Sequence, residues 1–315
     1  DLKIFMEYGM LTDEKFYEKA QKFALFKNTD KKYFTFEEYE KLVKENQTDK
    51  NKQLVYLYTT DSEKQFTFIE SAKSKGYDVL LMDGQLDMHF INQLEQKLNN
   101  TRFVRVDSDV IDKLIQKDDI KDSKLSEEQK NQLTHIFESQ LTSKAHFMVT
   151  FEDMKENDDP VIITQSEFMR RMKDMAAMGG GAMNFYGELP DNYNLVINSN
   201  HKLIEKIIEQ KDKKLGAKIE KLLEDIKPLE VEKENLEKAK KDKKEEEIPQ
   251  ADKDKLTDTE RQIEKLQADK KEVLTKFGQE NKYVKQLIDL ALLANNMLKG
   301  EDLTRFVKRS VELIK

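Results

Sequence analysis

Residues that could do chemistry are few in this chain. Three aspartates, Asp78, Asp83 and Asp87, lie near the ends of a predicted strand and the start of a predicted helix. Magnesium-dependent α/β enzymes keep carboxylates at such positions, so a small α/β hydrolase using Asp83 and Asp87 with Mg²⁺ is one hypothesis. Helix caps and turns explain the same residues more simply.

Other catalytic and ligand-binding patterns are missing from the sequence. The lack of cysteine excludes disulfides, thiolate zinc sites and cysteine nucleophiles, and the four histidines include no i, i+4 pair. No serine lies in a G-x-S-x-G elbow, and no phosphate-binding glycine motif occurs. The glycine cluster Gly179–Gly181 follows a predicted helix instead of preceding one. We therefore predict that the chain itself is not an enzyme and holds no metal or cofactor.

The amino-acid composition argues against nucleic-acid and membrane partners. Charged residues make up 37% of the 315 residues and the net charge is −7, whereas a nucleic-acid binder needs a basic face. No apolar run approaches the roughly 20 residues that span a bilayer, and no signal pattern opens the chain. We expect a cytoplasmic protein with neither nucleic-acid nor membrane partners. A start at Asp1, inside a helical pattern, indicates a piece of a longer protein.

Alternating strands and helices follow a first layer of fifty residues that reads as helical, with a capping box at Thr35 and Glu38. The predicted elements are strands at Leu54–Thr59, Asp78–Met82 and Phe103–Val106, and helices from Ser62 to Gly76 and from Leu86 to Leu98. This alternation predicts a small parallel sheet of three strands.

A second α+β region begins after residue 110. A capping box at Ser126 and Gln129 predicts a helix, and strands are expected at Ala145–Phe151 and Leu195–Ile197. Between those strands, Thr164 and Glu167 form another box that opens a methionine-rich helix. Phe168, Met169, Met172 and Met175 share one face of it. Such a face is either a buried core surface or an exposed, adaptable apolar one.

The segment 212–275 is densely charged, with sparse apolar residues at heptad spacing on both sides of Pro249. This pattern predicts an antiparallel coiled-coil hairpin, which Pro228 should kink. A solvated strut and a specific binding surface remain alternatives for its role.

The last forty residues predict two helices. The segment Val284–Leu298 is apolar around nearly the whole helix, which one subunit is not expected to shelter, and Gly300 should end it. The next helix carries a single apolar stripe. Together they suggest half of a four-helix bundle that a second copy completes. The predicted interface residues are Leu287, Ile288, Ala291, Leu292, Leu303, Phe306, Val307 and Leu313.

Several sequence motifs, taken in order, resemble the ninety-kilodalton heat-shock chaperone family, in its bacterial branch. The matching motifs are YLYTTD from Tyr56, AKSKGYDVLLMD from Ala72, MVTFEDM, DDPVIIT, SEFMRRMKDM, NLVINSNHKLIEKI, QLIDLALLANNM and DLTRFVKRSVELI. The resemblance covers nearly the whole chain outside the charged insert.

The resemblance implies the middle and C-terminal parts of a stress-response chaperone that dimerises through its last two helices. It further implies that Phe168, Met169, Met172 and Met175 bind non-native client protein. In the family, ATP and Mg²⁺ belong to an N-terminal domain, so ATP hydrolysis is not expected of this chain. The rival interpretation is an interaction scaffold whose working part is the coiled coil.

The expected fold is a multidomain α+β and α/β protein. Residues 1–50 form the helical layer, and 51–109 the three-stranded αβα unit. Residues 110–315 form an α+β dimerisation domain that contains the hairpin insert at 212–275 and ends in the helix pair.

Overall fold

The computed structural model describes residues 2–117, 123–141, 146–178, 191–241 and 249–314. It is a mixture of helices and three small sheets, which confirms the α+β character expected from the sequence.

The first layer contains a β-hairpin between its helices. Helices α1 (Lys3–Thr12), α2 (Glu14–Ala20) and α3 (Phe36–Val43) flank the antiparallel strands β1 (Leu25–Lys27) and β2 (Tyr33–Thr35). The expectation that the first fifty residues are helical was therefore wrong. The reason is local: the side-chain oxygen of Asn28 accepts hydrogen bonds from the backbone N–H groups of Asp30 and Lys32, which closes a turn. The capping box at Thr35 and Glu38 is confirmed at the start of α3.

The predicted three-stranded parallel sheet is confirmed. Its strands are β3 (Leu54–Thr59), β4 (Val79–Leu81) and β5 (Thr101–Arg105), in the order β4-β3-β5. Helices α4 (Phe66–Ser74) and α5 (Asp87–Lys97) pack on opposite faces, and the short α6 (Ile111–Leu114) joins the face of α4. The two faces alternate along β3, so that Tyr56 and Tyr58 lie toward α5 while Val55 and Leu57 lie toward α4.

Helix α4 begins at Phe66, four residues later than the predicted start at Ser62. The side chain of Gln65, just before the helix, is buried and turns back to the strand. It accepts hydrogen bonds from the Thr59 hydroxyl at 2.6 Å and the Thr60 N–H at 3.0 Å. The preceding residues are therefore held in turns.

The second region is built around another three-stranded sheet. Helix α7 (Glu127–Glu138) begins at the predicted Ser126 capping box. Strands β6 (His146–Glu152), β7 (Val161–Thr164) and β8 (Asn192–Asn198) form a sheet in the order β6-β8-β7, parallel between β6 and β8 and antiparallel between β7 and β8.

The methionine-rich helix α8 (Glu167–Met178) begins as expected, but without the predicted capping box. Thr164 is the last residue of β7, and its hydroxyl accepts from Asn194 at 3.5 Å. The Glu167 carboxylate accepts instead from Arg170 and Arg171, both at 2.7 Å. Thr164 pairs with β8 in the sheet and therefore does not cap α8.

Two long helices, α9 (Lys202–Lys241) and α10 (Gln250–Glu280), pack against each other along the charged segment. Ion pairs join them at Lys233–Glu260 (3.0 Å), Lys255–Glu232 (2.7 Å) and Lys214–Glu280 (2.9 Å). Lys214 of α9 pairs near the end of α10, whereas Lys233, further along α9, pairs with the earlier Glu260, so the two helices run in opposite directions. Pro228 lies inside α9.

The last helices are α11 (Lys282–Ala294) and α12 (Gly300–Ile314). Helix α11 ends at Ala294 and not at Gly300 as predicted, because Asn296 takes a left-handed conformation with φ +57°. Gly300 opens α12.

One hydrophobic core unites the second sheet with the bases of the long helices and with α11. It includes Ile163, Ile197, Ile207, Phe277 and Ile288. The bases of the long helices therefore pack in the same core as α11.

Candidate functional site

Helix α8 carries the predicted client surface, and the structure places its residues unequally. Phe168 is 67% exposed, whereas Met169 and Met172 are half-buried. Met175 lies in the same helix, but its side chain is outside the described residues, as is the segment Gly179–Gly181. The apolar side of the described part of α8 therefore reaches solvent chiefly through Phe168.

The charged side of α8 is buried at Arg170 and partly buried at Arg171 and Lys173. Arg170 is only 3% exposed and donates to the Glu167 carboxylate at 2.7 Å and to the Tyr58 hydroxyl on β3. The Tyr58 hydroxyl in turn donates to Glu167 at 3.0 Å. Burial opposes ionisation of Glu167, but the Arg170 and Arg171 guanidiniums outweigh it and hold the pKa of that carboxyl below its usual value. Burial raises the pKa of Tyr58, so this hydroxyl stays a donor.

The predicted dimer-interface residues divide into two groups. The first group lies in the chain's own core: Leu287, Ile288, Ala291 and Phe306 are at most 7% exposed. Helix α11 packs there against β7, α7 and α9. A single copy therefore shelters this side of α11, contrary to the expectation that it could not.

The second group is more accessible to solvent. Val307 is 51% exposed, and Leu292 and Leu303 are half-buried, with Leu292 packed against the chain's own core. Leu313 lies in α12, but its side chain is outside the described residues.

Three further apolar side chains that were not assigned to the interface are also exposed: Leu290 (44%), Leu293 (38%) and Val311 (50%). We call Leu290, Leu293, Val307 and Val311 the outer strip. Its signal in the sequence is the i, i+3 spacing on α11 and the i, i+4 spacing on α12.

A polar clasp fixes α12 against α11. Asp289 is 2% exposed and pairs with Lys285 at 2.9 Å and Arg309 at 2.5 Å. Gln286 accepts from Arg309 at 2.9 Å and donates to the Ser310 hydroxyl at 2.8 Å. These contacts hold the two halves of the outer strip in one arrangement.

The base of the charged hairpin is tied to α7. Lys270 is 7% exposed and pairs with Glu128 at 3.0 Å. Lys211 is 5% exposed and donates to Gln132 at 2.5 Å. These two lysines anchor the base of the hairpin on α7.

Two of the three aspartates of the magnesium hypothesis have ordinary structural partners, whereas the Asp83 side chain is exposed. Asp87 is 1% exposed and accepts from Lys3 at 2.8 Å and from the Gly84 N–H at 2.9 Å. Asp78 accepts from Asn28 at 2.7 Å, and burial raises the pKa of its carboxyl. Across the part of the chain that the structure describes, no three histidine or acidic side chains converge as metal ligands would.

No helix within the described ranges combines the length and the apolar character needed to cross a membrane.

The sequence is similar to known proteins along its whole length. The family model described as "Hsp90 protein" matches residues 3–226. The chain is 52% identical to the chaperone protein htpG of Bacteroides fragilis strain YCH46 over 100% of its length. It is 51% identical to HtpG of Bacteroides thetaiotaomicron and 47% identical to HtpG of Porphyromonas gingivalis strain ATCC 33277, over 100% and 99% of its length. In each case the chain spans 46% of the relative.

Proposed function

We propose that this chain, which belongs to the Hsp90 family, is the part of a heat-shock chaperone that holds non-native protein and joins two copies. The observation that carries the proposal is the match to chaperone relatives along the whole chain. The exposed apolar side chains of α8 and of the outer strip supply surfaces of the kind both tasks need.

The client surface is assigned to α8 through Phe168, Met169, Met172 and Met175. An exposed aromatic beside half-buried methionines suits a surface that must fit many sequences, because unbranched thioethers repack at low cost.

The dimer is assigned to α11 and α12. We shift its contact surface from the buried Leu287, Ile288, Ala291 and Phe306 to the outer strip, and we keep Leu292, Leu303 and Leu313 in the proposed interface. Burying an apolar side chain of this size contributes about 1.5–3 kcal/mol. Two copies of the strip could thus offset the cost of association.

We propose that the chain divides into a first layer of helices around a β-hairpin (1–50), a small αβα unit (51–109) and a C-terminal dimerisation domain (110–315). We interpret the insert 212–275 as an antiparallel coiled-coil hairpin. The cross-helix ion pairs between α9 and α10 support this, as does the end of the family match at residue 226, inside α9.

The ATP-dependent step is assigned to the remainder of the whole protein, since the relatives are about twice as long as this chain. ATP and Mg²⁺ would be bound there by an N-terminal domain, and we propose that this chain hydrolyses no ATP on its own. We place the whole chaperone in the cytoplasm.

The client assignment is tested by the double variant Phe168→Ser, Met172→Ser. We expect it to lose at least half of the chain's ability to suppress aggregation of chemically unfolded citrate synthase, measured by light scattering. Removing apolar contact area at a client surface weakens binding directly.

The matched control is Phe66→Ser, which removes a phenylalanine that is 60% exposed on α4. It should leave suppression unchanged. Equal suppression by the α8 double variant and the unchanged chain, with equal thermal stability, would reject α8 as a client surface.

A further inference from the structure

The outer edge of the parallel sheet is completed by side chains instead of by another strand. Strand β5 lies at the end of the order β4-β3-β5, so the backbone groups of Phe103 and Arg105 that point away from β3 have no strand partner. The Phe103 N–H donates to Glu95 at 2.7 Å, and the Phe103 carbonyl accepts from Arg171 at 2.7 Å. The Arg105 N–H donates to Glu167 at 3.4 Å.

Arg171 is the centre of this arrangement. Its guanidinium binds the Glu95 carboxylate through two hydrogen bonds, at 2.7 and 3.1 Å, and its Nε donates to Glu167 at 2.7 Å. The Arg171 and Glu95 side chains are 18% and 24% exposed, so solvent screens the pair weakly. Burial lowers the pKa of Arg171, but its bonds to Glu95 and Glu167 outweigh that effect and raise it overall.

A second tie holds the residues just before α8. The Gln165 N–H donates to the Asp107 carbonyl at 3.2 Å, beyond the end of β5. Arg105 pairs with the Asp107 carboxylate at 2.5 Å and donates to the Gln165 side chain at 3.4 Å. The start of α8 is thus fixed in position as well as in rotation.

At Phe168 and Arg170, this docking departs from the usual orientation of an amphipathic helix. Such a helix normally buries its apolar side and exposes its charged side. Here Arg170 is 3% exposed while Phe168, two residues before it, is 67% exposed. The contacts that Arg171 of α8 makes with α5 and β5 account for this orientation, because they stabilise its charged side against the rest of the chain.

We propose that Arg171, with Glu95 and Glu167, is a positioning group that docks α8 on the β5 edge by its charged side and so turns Phe168 outward for clients. This inference rests on the proposed client surface. The three residues need not touch a client. They fix the helix that does.

The test compares Arg171→Met with Arg171→Lys and with the matched control Lys173→Met. Lys173 lies two residues along α8 and pairs with Asp191 at 2.6 Å, away from β5. Two quantities are measured for each variant: hydrogen exchange at the Phe103 and Arg105 amides, and suppression of citrate synthase aggregation.

We expect Arg171→Met to speed exchange at both amides at least tenfold and to reduce suppression at least twofold. Arg171→Lys keeps the positive charge but not the two-bond geometry. Its amide exchange and its suppression should therefore lie between those of Arg171→Met and those of the unchanged chain. Lys173→Met should change neither. Glu95→Gln is the second variant. It should also speed exchange at both amides and reduce suppression, each by a smaller factor than Arg171→Met does.

Unchanged exchange at both amides in Arg171→Met and Glu95→Gln would overturn the inference. Faster exchange with unchanged suppression would overturn it too. The exchange measurement is independent of clients: if the unchanged chain suppresses no aggregation, the proposed function fails, and the exchange result still decides whether these residues dock α8.

Discussion

At the scale of single residues, buried charge in the first layer makes stability depend on pH. Glu7 is 5% exposed, close to the buried Asp87 carboxylate and 3.6 Å from Lys3. Burial and the negative charge of Asp87 raise the pKa of Glu7 to about 8, from an ordinary value of 4.5. The folded chain therefore holds a proton on Glu7 that the unfolded chain releases above pH 4.5.

The predicted consequence is a progressive loss of stability as pH rises from about 4.5 to about 8. Glu7→Gln should remove this part of the pH dependence and raise the thermal midpoint at pH 8 relative to the unchanged chain. The measurement is the midpoint of thermal unfolding from pH 5 to 9, with the exposed Glu18→Gln as control. Parallel pH profiles for the unchanged chain and Glu7→Gln would show that Glu7 is ionised in the folded state.

Replacing each of two helical glycines with alanine should change the stability of the chain in opposite directions. A Cβ on Gly278 would lie 2.3 Å from both the Ile136 carbonyl oxygen and the Ser139 hydroxyl, whereas one on Gly216 would meet nothing within 4 Å. Gly278→Ala should therefore destabilise the chain by about 1–3 kcal/mol, because α7 and α10 must separate. Gly216→Ala should stabilise it by about 0.5–1 kcal/mol by favouring the helix.

The thermal midpoints of the two glycine variants check this prediction. Shifts of the same sign would mean that the close approach of α7 to α10 at Gly278 is not maintained in solution.

At the scale of elements, local capping decides where α7 begins. The Ser126 hydroxyl accepts from the Gln129 N–H at 3.2 Å, and the Gln129 side chain accepts from the Ser126 N–H at 3.0 Å. Ser126→Ala should cost about 1 kcal/mol, and Ser126→Asp, which keeps a capping oxygen, only a few tenths. Thermal unfolding of both variants measures the difference, and equal midpoints would contradict the capping argument.

Elements whose signals are local could be predicted from the sequence. The capping boxes at Thr35 and Ser126 need only four residues each, and the strands β3, β4 and β5 follow from short apolar runs between helices. The Thr164 box was lost because pairing with β8, thirty residues away, competes for the same residue. Local patterns carry no information about such distant partners.

The candidate sites were harder to predict than the elements that carry them. Periodicity marks Phe168 and the methionines as one face of α8, but it does not show that Arg170 and Arg171 find acids and an open strand edge to bury against. On α11 the apolar residues surround the helix, so the pattern could not separate the buried Leu287 from the exposed Leu290. Only the packing of the whole chain distinguishes them.

At the scale of the whole molecule, two rigid connections place the functional surfaces. Helix α8 is tied to the parallel sheet by Arg171, and the hairpin base is tied to α7 by Lys270 and Lys211. The polar clasp between α11 and α12 then fixes the outer strip on the last two helices. If two copies join through this strip, as we propose, the dimer carries two α8 surfaces in one assembly.

The most direct test of the proposed dimer is the mass of the chain in solution, compared with Val307→Glu, Val311→Glu. Sedimentation at micromolar concentration should give twice 37.1 kDa for the unchanged chain and 37.1 kDa for the double variant, since carboxylates cannot be buried in an apolar strip. Lys308→Glu, on the exposed side of α12, should remain dimeric. A monomeric unchanged chain, or a double variant that stays dimeric, would contradict dimerisation through the outer strip.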